Sequence, residues 1–304
     1  MFPIIPANSA TAASGNSEGI FGFGRPASGY TAVTNLVSNA GVVASDQATV
    51  TGTARGYVGA CEYGEDKGIF GFGYHGTPVS ITNLVSNAGV VASDQAATTG
   101  TGRSSLAACG YGGDKGIFGF GDDGGKAAMT NLVSNAGVVA SDTAGVGTGR
   151  NGPAACEYGE DKGIFGFGAS AGGYAAITNL VSNAGVVASD QAATTGTGRS
   201  DIAACGYGGD KGIFGFGWKP AAPSYTGITN LVSNAGVVAT DTAAVGTARS
   251  SLGATQYGSD KGIFGFGASS IHSVTNLVSN VGVVASDTAG VGTARRVIGA
   301  CSLN

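Results

Sequence analysis

Gly19-Ile20-Phe21-Gly22-Phe23-Gly24 is the stretch around which the whole sequence is organised, because it recurs five more times. The later copies begin at Gly68, Gly116, Gly163, Gly212 and Gly262. They start 47 to 50 residues apart, which indicates one repeated unit, and a period near fifty is typical of β-propellers. We therefore predict a single repetitive domain over residues 19–304, preceded by an N-terminal arm at residues 1–18.

Composition limits the classes of partner. Charged residues make up only 11 % of the chain and the formal net charge is −4, so no strongly basic face is available to neutralise a phosphate backbone. The first eighteen residues have no basic segment before an apolar core, and no apolar run of about 18 residues occurs anywhere. We expect no nucleic-acid partner, no signal peptide and no membrane insertion.

The unit that follows Arg103 contains four apolar segments separated by glycine, asparagine or aspartate, with no helical period. These segments predict four short strands, which we call a, b, c and d, at residues 105–110, 116–121, 129–135 and 137–143. In strand b, alternation is expected to put both phenylalanines on one face, where they pack against the glycines of the next repeat.

The two ends of the chain complete one another. The first repeat begins at strand b, whereas residues 295–301 at the C-terminus have the sequence of a lone strand a. Pairing that strand with the N-terminal strands would leave no free edge. The predicted fold is all-β: a six-bladed β-propeller of four-stranded antiparallel blades, closed by the C-terminal strand.

Five cysteines occupy the same position of five repeats, where the sixth repeat has Thr255. They are Cys61, Cys109, Cys156, Cys205 and Cys301. Equivalent positions in neighbouring blades should be farther apart than the roughly 7 Å between Cα atoms that a disulfide spans. We therefore expect small buried thiols.

The repeat resembles that of the kelch family, which includes the propeller of galactose-oxidase-like proteins. The matching segments are Ile117-Phe118-Gly119-Phe120-Gly121, Thr130-Asn131-Leu132-Val133 and Asp142-Thr143, between Arg103 and Arg150. The resemblance covers residues 19–304 and implies a bladed fold. Near-identical arrays of this kind are also similar to propellers of phage and environmental sequences that serve as virion or adhesion modules, which implies a similar role here.

The repeats differ mainly in the connection between strands b and c and in the residues just after the repeated arginine. Both should emerge at one end of the blades, which we predict to be the binding face. The b–c connections carry the candidate binding residues, with Arg25 and Lys126 nearby: Tyr30, Tyr74, His75, Tyr174, Trp218, Lys219, Tyr225 and His272. Exposed aromatic residues are common contacts for proteins and could stack on sugars. Neutral drift of tolerated loops is the alternative explanation.

Features shared by all repeats are expected to be structural. The Tyr-Gly-x-Asp-Lys turns at the opposite end are interpreted as a solvated turn series, with a docking face for a symmetric partner as the alternative. Six repeated arginines each follow an aspartate about nine residues earlier, as Arg103 follows Asp94. We interpret these as structural pairs or loop caps, since a catalytic group would break the sixfold uniformity.

No constellation in the sequence predicts catalysis. A copper oxidase would need several histidines converging with a tyrosine, and His75 and His272 are the only two. The adjacent pair Asp122-Asp123 is expected to face solvent and lacks an EF-hand spacing. We predict a protein that is not an enzyme and has no cofactor and no metal.

The leading hypothesis is a recognition or structural module of a phage virion, such as a tail fibre or spike, or of a cell surface. Its variable face would bind a receptor or glycan, and residues 1–18 would anchor it to other virion proteins or form a homo-oligomer. The expected location is then the virion or the extracellular space. The alternative is a cytoplasmic kelch-type scaffold for another protein, with which free thiols are compatible.

Overall fold

The computed structural model describes residues 18–47, 52–95, 100–191 and 196–303, so the N-terminal arm predicted at 1–18 lies outside the described residues except for Glu18. All regular structure in these ranges is β. The strands in chain order are β1 (Gly19–Gly22), β2 (Thr34–Val37), β3 (Gly59–Tyr63), β4 (Lys67–Gly71), β5 (Tyr74–His75), β6 (Thr77–Pro78), β7 (Thr82–Val85), β8 (Ala107–Tyr111), β9 (Lys115–Asp122), β10 (Lys126–Val133), β11 (Arg150–Asn151), β12 (Ala154–Tyr158), β13 (Lys162–Gly166), β14 (Ala169–Ser170), β15 (Gly173–Tyr174), β16 (Thr178–Val181), β17 (Ala203–Tyr207), β18 (Lys211–Gly215), β19 (Thr229–Val232), β20 (Gly253–Tyr257), β21 (Lys261–Ala268), β22 (Ile271–Val278) and β23 (Gly299–Ser302).

Six similar antiparallel sheets form the body of the protein. Each contains three strands in the order a, b, c, with the repeated Gly-Ile-Phe-Gly stretch in the middle strand. The sheets are β23-β1-β2, β3-β4-β7, β8-β9-β10, β12-β13-β16, β17-β18-β19 and β20-β21-β22. Two smaller sheets, β5-β6 and β11-β14-β15, involve the b–c connections.

The prediction of a fourth strand, d, in each repeat is wrong. After the turn at Gly137, which has φ +75°, the chain returns only through the isolated bridges Val133↔Val139 and Thr130↔Thr143. The side chain of Asn131 replaces the missing ladder, because its Nδ2 donates to Ala140 O at 3.0 Å and to an Asp142 oxygen at 2.9 Å. A buried asparagine therefore ties down a segment that regular strand pairing does not hold.

Neighbouring sheets interlock through phenylalanine and glycine, but the ring packs on the glycine of the preceding repeat and not, as was predicted, on that of the next repeat. The ring of Phe118 packs over Gly71 of the preceding repeat so closely that a Cβ there would lie 2.6 Å from Cζ. The equivalent contacts are Phe70 on Gly22, Phe165 on Gly119, Phe214 on Gly166, Phe264 on Gly215 and Phe21 on Gly265. The glycines make room for a ring that is completely buried.

The prediction that Phe118 and Phe120 share one face is wrong. Phe120 has φ +63°, in the left-handed region, so its side chain leaves the strand's alternation. It packs with Phe165 of the next repeat at 5.2 Å, whereas Phe118 contacts Phe72 of the preceding repeat at 5.1 Å. Each sheet therefore presents one ring to each neighbour.

The six repeated arginines are completely buried and hold these rings in place. Arg103 Nε donates to Phe120 O at 2.9 Å and its Nη2 to Asn131 Oδ1 at 2.5 Å. Its guanidinium carbon lies 4.5 Å from the ring centroid of Phe72. Burial lowers the pKa of Arg103 to about 10, opposed by Asp142, so the group stays charged at neutral pH.

The repeated arginines do pair with aspartates, as predicted, but each pairs with a different aspartate from the one predicted. Arg103 lies 3.5 Å from Asp142 of its own sheet, whereas Asp94, nine residues earlier, faces Arg55 at 3.8 Å. The preceding aspartate is unavailable because it belongs to the previous sheet. There it accepts hydrogen bonds from Thr53 N and Oγ1.

Contacts between the last and first repeats are of the same kinds as those between other neighbours. Strand β23 pairs with β1 in the register Cys301↔Ile20, as the sequence predicts. Arg295 lies 4.0 Å from Asp46, and Phe21 packs on Gly265. The five cysteines are free and buried in the described structure, again as predicted.

Candidate binding face

The b–c connections and the segments that precede strands a lie at the same end of the six sheets. One antiparallel pair joins the two in every sheet, for example Trp218 with Ser200 and Asp122 with Ser104. We call this end the loop face; it comprises residues 24–33, 73–81, 121–129, 168–177, 217–228 and 267–274 together with 55–58, 103–106, 150–153, 199–202, 249–252 and 295–298. The turn face is the opposite end, which carries the a–b turns at 64–66, 112–114, 159–161, 208–210 and 258–260.

A cycle of six backbone hydrogen bonds lies at the centre of the loop face. Each amide donates to the equivalent carbonyl of a neighbouring repeat, with N···O distances of 2.7–3.1 Å. The members all have φ between 52° and 60°, which is uncommon for residues other than glycine. They are Tyr57, Ser105, Gly152, Asp201, Ser251 and Val297. This left-handed ring is strained backbone that the surrounding six sheets hold in place.

The same ring lines a recess of about 60 Å³, large enough for a few water molecules or a small polar group. Asp201 is its one charged lining residue. Burial raises the pKa of Asp201, and a hydrogen bond with Ser200 Oγ, 3.1 Å away, opposes that rise. The six ring positions hold five different residue types, with serine at two of them and glycine at one, so the centre of the loop face lacks the symmetry of the frame.

The first and second repeats bring several of the predicted residues together. The ring of Tyr30 lies 6.3 Å from that of Tyr74 and 6.4 Å from that of His75. Arg25 approaches the face of Tyr30 at 5.8 Å. We call Arg25, Tyr30, Tyr74 and His75 the first aromatic cluster.

The fourth and fifth repeats form a second aromatic cluster of Tyr174, Trp218, Lys219 and Tyr225. The rings of Tyr174 and Trp218 are 5.0 Å apart, and Trp218 and Tyr225 are bridge partners across their connection. Lys219 Nζ donates to Ala221 O at 2.8 Å, which keeps the charge at this edge of the loop. Since contacts link consecutive repeats and the sixth to the first, the two clusters are three repeats apart in either direction.

His272 is not brought together with the other predicted residues. Its Nε2 is 2.9 Å from Ser269 Oγ, and its carbonyl accepts a hydrogen bond from Arg295 N. Burial, followed by the charge of Arg249, lowers its pKa. His272 therefore belongs to a local loop contact rather than to either aromatic cluster.

The charges divide unevenly between the two faces. Of 15 lysines and arginines, six arginines are buried in the frame and five lysines pair with aspartates of the turns at 2.6–3.0 Å. The cations that remain all lie on the loop face: Arg25, Lys126, Lys219 and Arg296. Six further aspartates accept hydrogen bonds from the threonines that precede the buried arginines: Asp46, Asp94, Asp142, Asp190, Asp241 and Asp287. The other acidic side chains are Glu18, Glu62, Glu65, Glu157 and Glu160 near the turn face and Asp122, Asp123 and Asp201 on the loop face.

Two carboxyl groups meet inside the channel between the six strands a, near the turn face. Glu62 and Glu157 line the same cavity, and Glu62 also contacts Ser302 Oγ. Burial, and then the neighbouring Glu62, raise the pKa of Glu157 well above its usual range. A proton on Glu157 is the simplest way for this pair to avoid two adjacent negative charges inside the channel.

The described ranges hold neither a cluster of candidate metal ligands nor a long apolar helix. No group of three or more histidine, cysteine, aspartate or glutamate side chains is placed there to hold a metal ion. The same ranges contain no helix that could cross a bilayer. No protein-family model matches the chain and no curated protein matches it, so the kelch-like resemblance stays a prediction.

Sequence reasoning missed three residues of the loop face: Tyr57, Asp201 and Arg296. All three lie in the short variable segments after the repeated arginines. The sequence of these segments varies between repeats, and this variation was the signal that could have identified the three residues. The sequence predicts that these segments share a face with the b–c connections, and the fold adds that they converge at its centre.

Proposed function

We propose that the chain is a closed, six-bladed, kelch-like β-propeller that acts as a non-enzymatic recognition module through its loop face. The closure is supported by the pairing of β23 with β1 and by the contact of Phe21 with Gly265, which repeats the contact of every other neighbouring pair. A rigid body of this kind can present variable connections without changing its own packing.

One observation supports the loop face as the recognition surface. Every cation that the frame does not use lies on the loop face, together with both aromatic clusters. Aromatic and arginine side chains dominate the energetics of protein interfaces. The turn face instead repeats the same Asp-Lys pair, and exposed pairs of this kind contribute little to binding or stability.

The leading form of the proposal is a virion or surface protein, such as a tail-fibre or spike component, whose loop face binds a receptor or glycan. Residues 1–18 would connect it to other proteins of the particle or to further copies of the chain. Recovery of the protein only from host cytosol, and never from particles or cell surfaces, would refute this form.

A cytoplasmic interaction scaffold is the second candidate, because all five thiols are free and buried in the described structure. Free thiols are ordinary in a reducing compartment. A stoichiometric protein partner recovered from cytosol by affinity capture supports the scaffold. Failure to recover any such partner contradicts it.

The experiment that tests the loop face is common to both candidates. The double variant Trp218→Ala/Tyr225→Ala should lose most binding to particles, cell surfaces or the captured partner, because it removes the second aromatic cluster. Lys115→Ala on the turn face is the matched control and should bind like the wild type. Unaltered binding by the double variant, with an unaltered melting temperature, refutes the role of this cluster.

A further inference from the structure

Each sheet ends at the loop face in two residues that lie opposite each other across an antiparallel pair. One follows strand b and the other precedes strand a. The six pairs are Arg25/Arg296, Tyr74/Gly56, Asp122/Ser104, Ala169/Asn151, Trp218/Ser200 and Ala268/Ser250. The frame accepts small, polar, acidic and aromatic residues here, so the fold does not require arginine. Only the pair that joins the two ends of the chain has two cations.

The backbone holds these two arginines close together. Arg25 N donates to Arg296 O at 2.8 Å and Arg296 N donates to Arg25 O at 3.1 Å. Residues that exchange both hydrogen bonds have Cα atoms about 5.5 Å apart and side chains on the same side of the sheet. Like charges placed directly opposite destabilise a sheet, so this pair is unfavourable without a counterion.

No acidic side chain compensates the pair. Within the described ranges neither guanidinium forms an ion pair, and the remaining residues of the sequence contain no aspartate or glutamate. Arg296 Nε is also buried without a hydrogen-bond partner in the described structure. A buried donor without a partner is costly, so an acceptor supplied from outside would satisfy it.

The aromatic residues of the first aromatic cluster lie beside Arg25. Arg25 lies over the ring of Tyr30, and Tyr74 and His75 are within 6.4 Å of that ring. Burial, and then Tyr57, raise the pKa of Tyr30, while the charges of Arg25 and Arg296 oppose the rise. On the other side, the neighbouring pair is Ala268 with Ser250, and both of these side chains are small.

We propose that Arg25 and Arg296 form an oxyanion site that takes the carboxylate or sulfate group of an acidic saccharide, with Tyr30 and Tyr74 contacting the sugar ring. Guanidinium groups bind such oxyanions through paired, charge-assisted hydrogen bonds. The apolar face of a sugar ring can pack on an aromatic side chain while its hydroxyl groups stay in water. This inference rests on the proposed function, in which the loop face binds a receptor or glycan.

Isothermal titration calorimetry on the full chain at low ionic strength tests the site with three probes of equal length. They are a keratan sulfate oligosaccharide, whose only anionic groups are sulfates, a carboxylated hyaluronan oligosaccharide and a neutral chitin-derived oligosaccharide. The variants are Arg25→Gln, whose side chain is exposed, and Arg296→Gln. Lys126→Gln removes an exposed cation from a different connection of the same face and is the matched control. Circular dichroism melting verifies that each variant folds.

The wild type should bind at least one acidic probe more tightly than the neutral one, and the preferred probe identifies sulfate or carboxylate as the natural group. Arg25→Gln and Arg296→Gln should each weaken that binding by about 10- to 100-fold, the loss expected for a charged hydrogen bond. Lys126→Gln should change it less than about twofold, as expected for an exposed charge. A folded Arg296→Gln that fails while Arg25→Gln still binds normally overturns the two-arginine site.

Two further results overturn the inference. One is equal weakening by Arg25→Gln and Lys126→Gln, which would show only general attraction to a cationic face. The other is the absence of binding to either acidic probe. In that case the proposed function is judged separately, because the Trp218→Ala/Tyr225→Ala variant measures loop-face recognition without any acidic saccharide.

Discussion

Replacing Gly265 by alanine should destabilise the protein as much as the same change within the array. A Cβ at residue 265 would lie 2.8 Å from Phe21 Cζ and 3.2 and 3.3 Å from two further ring carbons. Carbon atoms prefer separations of about 3.5–4.0 Å, so the ring must move by several tenths of an ångström. It has no free space, because Phe21 is completely buried and packs 5.2 Å from Phe266.

The expected magnitude follows from overpacking. Inserting a methyl group into a filled core costs about 1–3 kcal/mol, whereas replacing glycine by alanine recovers about 0.4–1 kcal/mol by restricting the unfolded chain. The net loss is about 1–2 kcal/mol, which lowers the melting temperature of a chain of this size by about 2–6 °C. Gly119→Ala should give a similar loss, since its Cβ would lie 2.7 Å from Phe165 Cζ.

Calorimetric or circular dichroism melting of three variants makes the comparison. Gly172→Ala is the matched control, because a Cβ there would meet only Ser170 Oγ at 3.7 Å. It should melt at or slightly above the wild-type temperature. If Gly119→Ala destabilises the protein but Gly265→Ala behaves like Gly172→Ala, then Phe21 does not pack on the last repeat and the proposed closure is wrong.

Three other perturbations test the frame. Arg103→Met should lower the free energy of unfolding by about 3 kcal/mol, because Asn131, Asp142 and the Phe120 carbonyl lose their buried partner. Urea unfolding measures this loss, and Arg103→Lys should recover little of it. Because the pKa of Glu157 is raised on folding, its protonated form stabilises the protein fully below the unfolded pKa of about 4.5, and this contribution is lost as pH rises towards the folded pKa. Glu157→Gln should therefore gain stability over the wild type at pH 8 but not at pH 4, whereas the exposed Glu160→Gln should show no such difference; a pH-independent effect of Glu157→Gln contradicts the raised pKa of Glu157. Burial raises the pKa of Cys205 to about 12 and raises the pKa of the other four thiols above the usual value. Mass spectrometry should therefore find no alkylation by iodoacetamide in the native protein and five modified cysteines after unfolding. Rapid labelling of any cysteine in the native protein would contradict its burial.

The repeat period and the composition of strand b were enough to predict an all-β array with three of its strands and with phenylalanine–glycine contacts, though not the direction of those contacts. The fourth strand was overpredicted because Val138 and Val139 have strand-like composition, yet Asn131 holds that segment by its side chain instead. The orientation of Phe120 was wrong because alternation assumes an extended backbone. Nothing in the local sequence indicates its left-handed φ.

The site was predicted less completely than the fold. The aromatic residues of the b–c connections were found because they differ between otherwise identical repeats. Arg296 was not found, because its position opposite Arg25 depends on the exact register in which the two ends of the chain pair, and the sequence does not indicate that register. The central ring was also missed, because a cycle of hydrogen bonds among six distant segments leaves no local pattern.

The most direct test of the proposed recognition face compares variants that alter opposite ends of the same molecule. The loop-face variant is Arg25→Gln/Trp218→Ala/Tyr225→Ala, and the turn-face variant is Lys67→Gln/Lys115→Gln/Lys211→Gln, which removes the same kind of exposed charge from the repeated turns. Binding of labelled protein is measured on an array of neutral, carboxylated and sulfated glycans, with melting temperatures as the check on folding. The account predicts that the loop-face variant loses the wild-type signals and that the turn-face variant retains them. Loss by the turn-face variant, with wild-type binding by the loop-face variant, would contradict it.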